Sequence, residues 1–271
     1  NYKKYTLKLI SNHTLPFFLL REIHGVLLLF ISISVITLKK EKAAVIKDKI
    51  QKILTIENDH IIISAIHTHS GANGLDDMTV FGTPDNPEYF AYVCEQITDS
   101  IQHLEQQLCE VQAYITTGKV HGYYSKRTDK HLPFEDHAAI ITFIHGDTVV
   151  AAMCNFNCHA TVLGVENMLV SSDLVGKVRS LMKEDLGVTP YTFTGASGDI
   201  SNRQYRQGND FAELDRVGSG IAEILRNMGP YEKLGLHHVQ TVSYDHTVSY
   251  DNTWYFKEYQ KGIRDAEEVL S

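Results

Sequence analysis

Four isoleucines in six residues, Ile61-Ile62-Ile63-Ser64-Ala65-Ile66, run directly into His67-Thr68-His69-Ser70-Gly71. An apolar, β-branched run of this length reads as a buried strand, and the serine, glycine and asparagine after it read as the loop that ends it. His67 and His69 therefore stand at a strand end, where side chains two positions apart point to the same side. Two imidazoles on one rim suit a zinc ion, because neutral imidazole is a good borderline ligand and one rigid element presents both donors. The plain alternative is a pair of histidines hydrogen-bonded within a loop, since His-x-His is short enough to recur by chance.

A buried strand needs covering layers, and the rest of the chain alternates strand and helix patterns that supply them. Residues 26–37 read as a strand and residues 41–54 as a helix, with Ile46, Ile50, Ile53 and Leu54 at helical spacing; with the histidine strand they make a β-α-β unit. Asn86-Pro87 reads as an N-cap with proline in the first turn, opening a long helix with Phe90, Val93, Ile97, Ile101, Leu104 and Leu108 along one core-facing stripe. Residues 111–117 form a strand, and residues 138–145 and 148–156 flank Gly146-Asp147 as an antiparallel hairpin. Ser171-Ser172-Asp173 caps a helix that closes at Gly187, residues 189–193 form a short strand, and Asp210 with Glu213 forms a capping box for a last helix ended by Gly229. The expected fold class is α/β, a mixed β-sheet core flanked by helices with the active site at strand ends, in a single domain over residues 1–271.

The second hairpin strand runs on through Asn155-Phe156-Asn157-Cys158-His159. If it stays extended, Asn155, Asn157 and His159 share one face while Cys154, Phe156 and Cys158 share the other. That alternation argues against a Cys-Cys-His zinc knot. A histidine ending a strand is usually held by the core or a loop, and only the earlier His-x-His promotes His159. The strand over residues 189–193 leads into Gly195-Ala196-Ser197-Gly198-Asp199-Ile200-Ser201. Small residues there let backbone groups approach a ligand closely, so the loop is a candidate active-site floor; the alternative is a tight connection capped by Asp199. It matches neither a phosphate loop nor the Gly-x-Ser-x-Gly elbow of serine hydrolases.

Composition excludes several classes. With a formal net charge of -8 and no basic cluster beyond Lys39-Lys40-Glu41-Lys42, nucleic acid and anionic membrane surfaces are not the main partner. Four cysteines in 271 residues make no disulfide scaffold and read as buried thiols. The most apolar stretch, residues 26–38, is shorter than the ~20 residues of a membrane span, so no transmembrane segment is expected. No signal peptide is visible, although the first residue is Asn1 rather than Met, so both a cytoplasmic and a processed, secreted protein fit. Val242-Ser243-Tyr244-Asp245 echoes in Val248-Ser249-Tyr250-Asp251 as extended structure. The helix-like residues 254–271 carry no terminator, so the chain is expected to end mid-domain.

Taken together, Ser64-Ala65-Ile66-His67-Thr68-His69-Ser70-Gly71, residues 155–164, Ser171-Ser172-Asp173-Leu174-Val175-Gly176 and Gly195-Ala196-Ser197-Gly198-Asp199-Ile200-Ser201 resemble the neutral/alkaline, non-lysosomal ceramidase family, in its N-terminal catalytic region. Order and spacing agree as well, over about residues 20 to 230, and the combination is far more specific than any single motif. The resemblance implies hydrolysis of the amide bond of N-acyl sphingosine with one zinc ion. It implies His67 and His159 as metal ligands, His69 as a neighbour that orients the reacting groups, and Arg127 as an arginine facing the site. The partner it implies is a small lipid-like amide.

The sequence also departs from the family pattern. The family completes its zinc sphere with a glutamate and a tyrosine from stretches resembling Pro-Gly-Glu and Gly-Tyr-Ile-Pro, and neither occurs in this sequence. Asp173, Asp199 and Tyr123 are the in-sequence candidates for the open positions, and no motif selects one. Ser125-Lys126-Arg127 replaces an Asn-Arg pair, and Ser32-Ile33-Ser34 replaces Ser-Leu-Asp. The chemistry expected is metal-assisted amide hydrolysis by water, with His69 moving a proton and Arg127 steadying the oxyanion; Gly198, Asp199 and Ser201 are the loop residues nearest to it. With only two histidine ligands in a chain ending at Ser271, loose metal binding and weak activity are expected. The alternatives are a metal-dependent hydrolase of another amide or ester and a non-catalytic binding module of the same ancestry.

Overall fold

The computed structural model describes residues 5–8, 17–21, 25–72, 75, 85–235 and 241. All but Thr241 lie in the compact unit Asn1–Gln240. The expected extended echo after residue 241 and the helix over 254–271 lie outside the described residues.

In chain order the strands are β1 (Tyr5–Lys8), β2 (Phe17–Arg21), β3 (Leu27–Ile33), β4 (Ile61–Ala65), β5 (Cys109–Lys119), β6 (Ser125–Lys126), β7 (His137–His145), β8 (Thr148–Phe156), β9 (Tyr191–Thr194), β10 (Ile200–Ser201) and β11 (Glu232–Leu234). The α-helices are α1 (Lys40–Gln51), α2 (Pro87–Ile101), α3 (Asp173–Leu186) and α4 (Phe211–Arg226). The main sheet runs β4-β3-β2-β1-β5-β7-β8-β9, with β11 also paired to β5. It is mixed. β3 and β4 are parallel across the α1 crossover, β8 and β9 are parallel across α3, and the hairpin β7-β8 is antiparallel.

Strand alternation explains how this sheet is covered. Leu27, Leu29, Ile31 and Ile33 of β3 pack with Ile46 and Ile50 of α1 and with Val93, Ile97 and Ile101 of α2. The intervening Leu28 and Phe30 face the other way, into a separate core with Val111, Phe143, Ala151 and Tyr191. On β8 the parity repeats: Cys154 and Phe156 pack under α3 and α4, while Ala151 and Met153 join the same inner core as Leu28. The sheet thus folds over on itself, with one helix pair outside each half. Side chains close the seam, because the Ser32 hydroxyl donates to the Thr192 carbonyl at 2.7 Å and the Phe30 and Tyr191 rings stand 5.8 Å apart edge to face.

Helix ends follow local chemistry. The Asn86 side chain accepts from the Tyr89 N–H at 3.0 Å with Pro87 in the first turn, and Asp210 accepts from the Glu213 N–H at 2.9 Å. The latter is half of a capping box, since the Glu213 carboxylate turns to the Gln207 N–H and Arg216. Of the expected capping stretch Ser171-Ser172-Asp173, it is Ser171 whose Oγ accepts from the Asp173 N–H, at 3.0 Å, while Ser172 makes no side-chain cap bond. β3 is shorter than its apolar run because the chain leaves the sheet after Ile33. Cys94, Cys154 and Cys158 are buried thiols, and among the described residues no helix is long and apolar enough to cross a membrane.

Candidate metal centre

His67 and His69 follow the end of β4, and His159 follows the end of β8, so the two sequence stretches come from opposite halves of the folded sheet. The backbone joins them directly, with His69 N–H donating to Ala160 O at 3.3 Å, while Thr194 Oγ1 donates to Ile66 O at 3.0 Å alongside. The rings form a triangle with centroids 5.0 Å apart for His67–His69, 4.4 Å for His67–His159 and 5.3 Å for His69–His159. One ring nitrogen from each lies within 4.8 Å of the other two. Exposure is graded across the triangle, from buried His159 through half-buried His67 to His69 at the surface.

Two of the rings are held in one tautomer. His67 Nδ1 lies 2.7 Å from Ile36 O and His159 Nδ1 lies 3.0 Å from Ser197 O. A carbonyl only accepts, so Nδ1 carries the hydrogen in both rings and the Nε2 lone pairs are left for a ligand. Protonation is disfavoured too. Burial, assisted by Arg127 and the other two imidazoles, pulls His159 down to about 4, and burial, His67 and Arg127 lower His69. Neutral rings with directed lone pairs are the donor set that zinc takes, so the residues present fit such an ion.

The backbone is strained at the same place. Among the described residues, His67 at φ 62° and Asp173 at φ 48° are the non-glycine positions in the left-handed region. Such residues cost on the order of 1–3 kcal/mol each and persist where the surroundings over-determine them. For His67 those surroundings are its N–H bond to Val35 O at 3.1 Å and its ring bond to Ile36 O.

Arg127 reaches the triangle on a small second sheet. β6 pairs with β10 through Ser201↔Ser125, Arg127 N–H donates to Asp199 O at 2.9 Å, and His159 N–H donates to Ile200 O at 3.2 Å. Its charge helps to lower both His69 and His159, and its Nε is buried without a hydrogen-bond partner among the described residues. Asn202 Nδ2, next along β10, is orphaned in the same way. Ser201 is buried, with its Oγ accepting from the Arg203 N–H at 3.3 Å, and the Asp199 carboxylate is paired with Lys126. The loop holding Gly198 packs tightly only at Gly195, where a Cβ would fall 1.8 Å from Asn157 Oδ1.

No family model and no curated protein matches the sequence. Two solved structures share its architecture at a TM-score of 0.70 and 14% identity over 84% of this chain, one a ceramidase complexed with C2 and the other the neutral ceramidase of Pseudomonas aeruginosa. The fold is ceramidase-like. The chain spans 44% and 45% of those two chains.

Within this ceramidase-like fold, the three in-sequence candidates for further ligands are otherwise engaged. Asp173 Oδ1 accepts from the N–H groups of Val162 and Leu174, and Oδ2 from Leu163 N–H, at 3.0, 2.6 and 3.0 Å. It pins the turn that follows His159. Asp199 pairs with Lys126, and the Tyr123 ring lies against Gly220 of α4. A second mixed group, Glu135-Asp136-His137, is closed by its own contacts, His137 to Glu135 at 2.7 Å and Lys119 and His121 to Asp136 at 3.3 Å. Sequence reading missed the Ile36 and Ser197 carbonyls and Asn202. Backbone acceptors leave no mark in side-chain identity, and only the asparagine directly after Ser201 offered a signal.

Proposed function

We propose that this chain carries the histidine part of a zinc-dependent amide hydrolase centre of the ceramidase type, acting on an N-acyl sphingosine-like lipid. The observation that carries the reading is the convergence of three imidazoles from two remote strands, two of them held through Nδ1 by backbone carbonyls. The likeness in fold supports the reaction class, and the sequence stretches that resemble the family contain the same histidines.

In this reading His67 and His159 hold the metal through Nε2, each oriented by its Nδ1–H bond to a carbonyl. A zinc ion held there would act as a Lewis acid toward the amide carbonyl and would lower the pKa of an attacking water toward ~7. His69, at the open side and kept neutral, accepts the proton from that water and returns it to the leaving amine. Arg127 donates to the oxygen that becomes negative as the carbonyl is attacked, and its buried Nε is available for this. Asn202, which follows the paired strand β10, is a second buried donor without a partner among the described residues. Asp199 shapes the floor by holding Lys126, and the Ser201 hydroxyl is taken up in capping the turn that follows it.

The test is zinc content per chain together with fatty-acid release from a short-chain N-acyl sphingosine. His67→Ala and His159→Ala are each expected to lower both. Stoichiometric zinc unaffected by both substitutions would overturn the assignment.

A further inference from the structure

The loop between His159 and α3 presents an unusual surface. Val165, Met168, Leu169 and Val170 are 93%, 90%, 64% and 78% exposed, four large apolar side chains within six residues. Scattered exposed apolar residues are ordinary, but a contiguous group marks an interaction surface. The loop is also well ordered by its own bonds. Asn167 N–H donates to Gly164 O at 3.1 Å, Asn167 Nδ2 donates to Leu169 O at 2.8 Å, and Leu169 N–H donates to Asn167 Oδ1 at 3.1 Å. These bonds satisfy the N–H groups of Asn167 and Leu169 and the carbonyls of Gly164 and Leu169 from within the loop, which lowers the cost of bringing it into an apolar medium.

Both ends of the loop are clamped beside the histidines. Ser171 N–H donates to Ser70 O at 2.8 Å and Thr68 Oγ1 donates to Ser171 O at 2.8 Å, so one end is tied to the His67-Thr68-His69 segment itself. At the other end Gly164 N–H donates to Asn209 O at 2.8 Å, and the Asn209 side chain fills the space where a Cβ on Gly164 would stand. The segment leading to Asn209 carries the exposed Arg203 and Arg206, the latter donating to Thr161 O at 3.1 Å. Apolar tips fringed by arginines match a phospholipid surface, where the tips enter the acyl boundary and guanidinium groups meet phosphates, while the exposed Glu166 among them has to stay at the headgroup level.

We infer that residues 165–170 insert into a phospholipid surface and set the histidine centre against it; this rests on the reading of the site as one for an N-acyl lipid. The net charge of -8 opposes long-range attraction to an anionic membrane, so insertion of the apolar tips supplies the binding and charge supplies its orientation.

The experiment is co-sedimentation of the full chain with phosphatidylcholine vesicles at low and high salt. Wild type is expected to sediment at both. A variant carrying Val165→Ser, Met168→Ser, Leu169→Ser and Val170→Ser is expected to lose about tenfold or more in partitioning, with its circular dichroism unchanged. Arg206→Gln is a milder second variant, expected to lose up to about fivefold. Three results would overturn the inference: wild type that stays in the supernatant, a serine variant that sediments like wild type, or binding confined to anionic vesicles and released by salt. A loop-dependent dimer without vesicle binding assigns the surface to a second copy and also overturns it. Zinc content read on the same samples separates this outcome from failure of the hydrolase reading, because His159→Ala is expected to sediment normally while losing metal.

Discussion

His67 and His159 stand edge to face with their ring centroids 4.4 Å apart, each anchored through Nδ1 to a backbone carbonyl of a different loop. The anchor for His67 exists because the chain leaves β3 at Ile33 and turns Ile36 O toward the ring. The left-handed backbone at His67 completes the placement. Asparagine tolerates that backbone, so His67→Asn is expected to fold with a Tm close to wild type while zinc affinity falls at least about tenfold. His67→Leu is expected to lose affinity and some stability as well, because left-handed backbone accommodates asparagine and histidine more readily than a bulky apolar side chain. Thermal melts and zinc titration of both variants check this.

Asp173 holds the turn after His159 with three backbone N–H bonds, and it is buried. Truncation leaves those donors without partners at about 1–3 kcal/mol for each unsatisfied group, so Asp173→Ala is expected to cost on the order of 3 kcal/mol or more in urea unfolding. Asp173→Asn keeps one acceptor and is expected to cost less. Equal stability of Asp173→Ala and wild type would contradict the role given to this carboxylate.

Stability of the metal-free protein is expected to fall on the acid side. The folded value of His159 is depressed to about 4, against 6.5 for an ordinary imidazole. Between these values the unfolded chain takes up a proton that the folded chain refuses, so the contribution is present above about 6.5 and lost as pH falls through the folded value. Melting temperatures recorded from neutral pH down to about pH 4 check the sign, and His159→Gln is expected to flatten the slope. A Tm that rises over this interval counts against it.

Arg127 contributes to the lowering of both His69 and His159, after burial in each case. Arg127→Gln is expected to raise both imidazoles part of the way toward their ordinary value, as read by NMR titration of the ring protons. If Arg127 also meets the developing oxyanion, amide hydrolysis falls by about 10²–10³ in kcat, the range for removing one such donor. Unmoved titration curves would place the guanidinium away from the rings.

Periodicity made the larger elements legible. The Asn86-Pro87 start of α2 and its stripe as far as Ile101, the β7-β8 hairpin around Gly146 and the β3-α1-β4 unit appear where the pattern places them, whereas Leu104 and Leu108 lie beyond the helix, on either side of a single tight turn. Shorter pieces were not legible, because β6 and β10 have two residues each and carry no period. The pair nevertheless brings Arg127 beside His159. Alternation along β8 separated the cysteines from His159 correctly, since Cys154 and Cys158 lie in the helix-covered core. The fold-over of the sheet had no local signal at all, because it depends on Phe30 meeting Tyr191 and Ser32 meeting Thr192 across long stretches of chain.

That seam has a consequence for how the histidines come to act together. One contributor sits beyond β4 and another beyond β8, so neither half of the molecule carries a usable set of rings. A chain that has built only one half presents at most a neighbouring pair, and the triad is born when the halves close. A cation that needs all three rings would therefore be held only once the halves have closed.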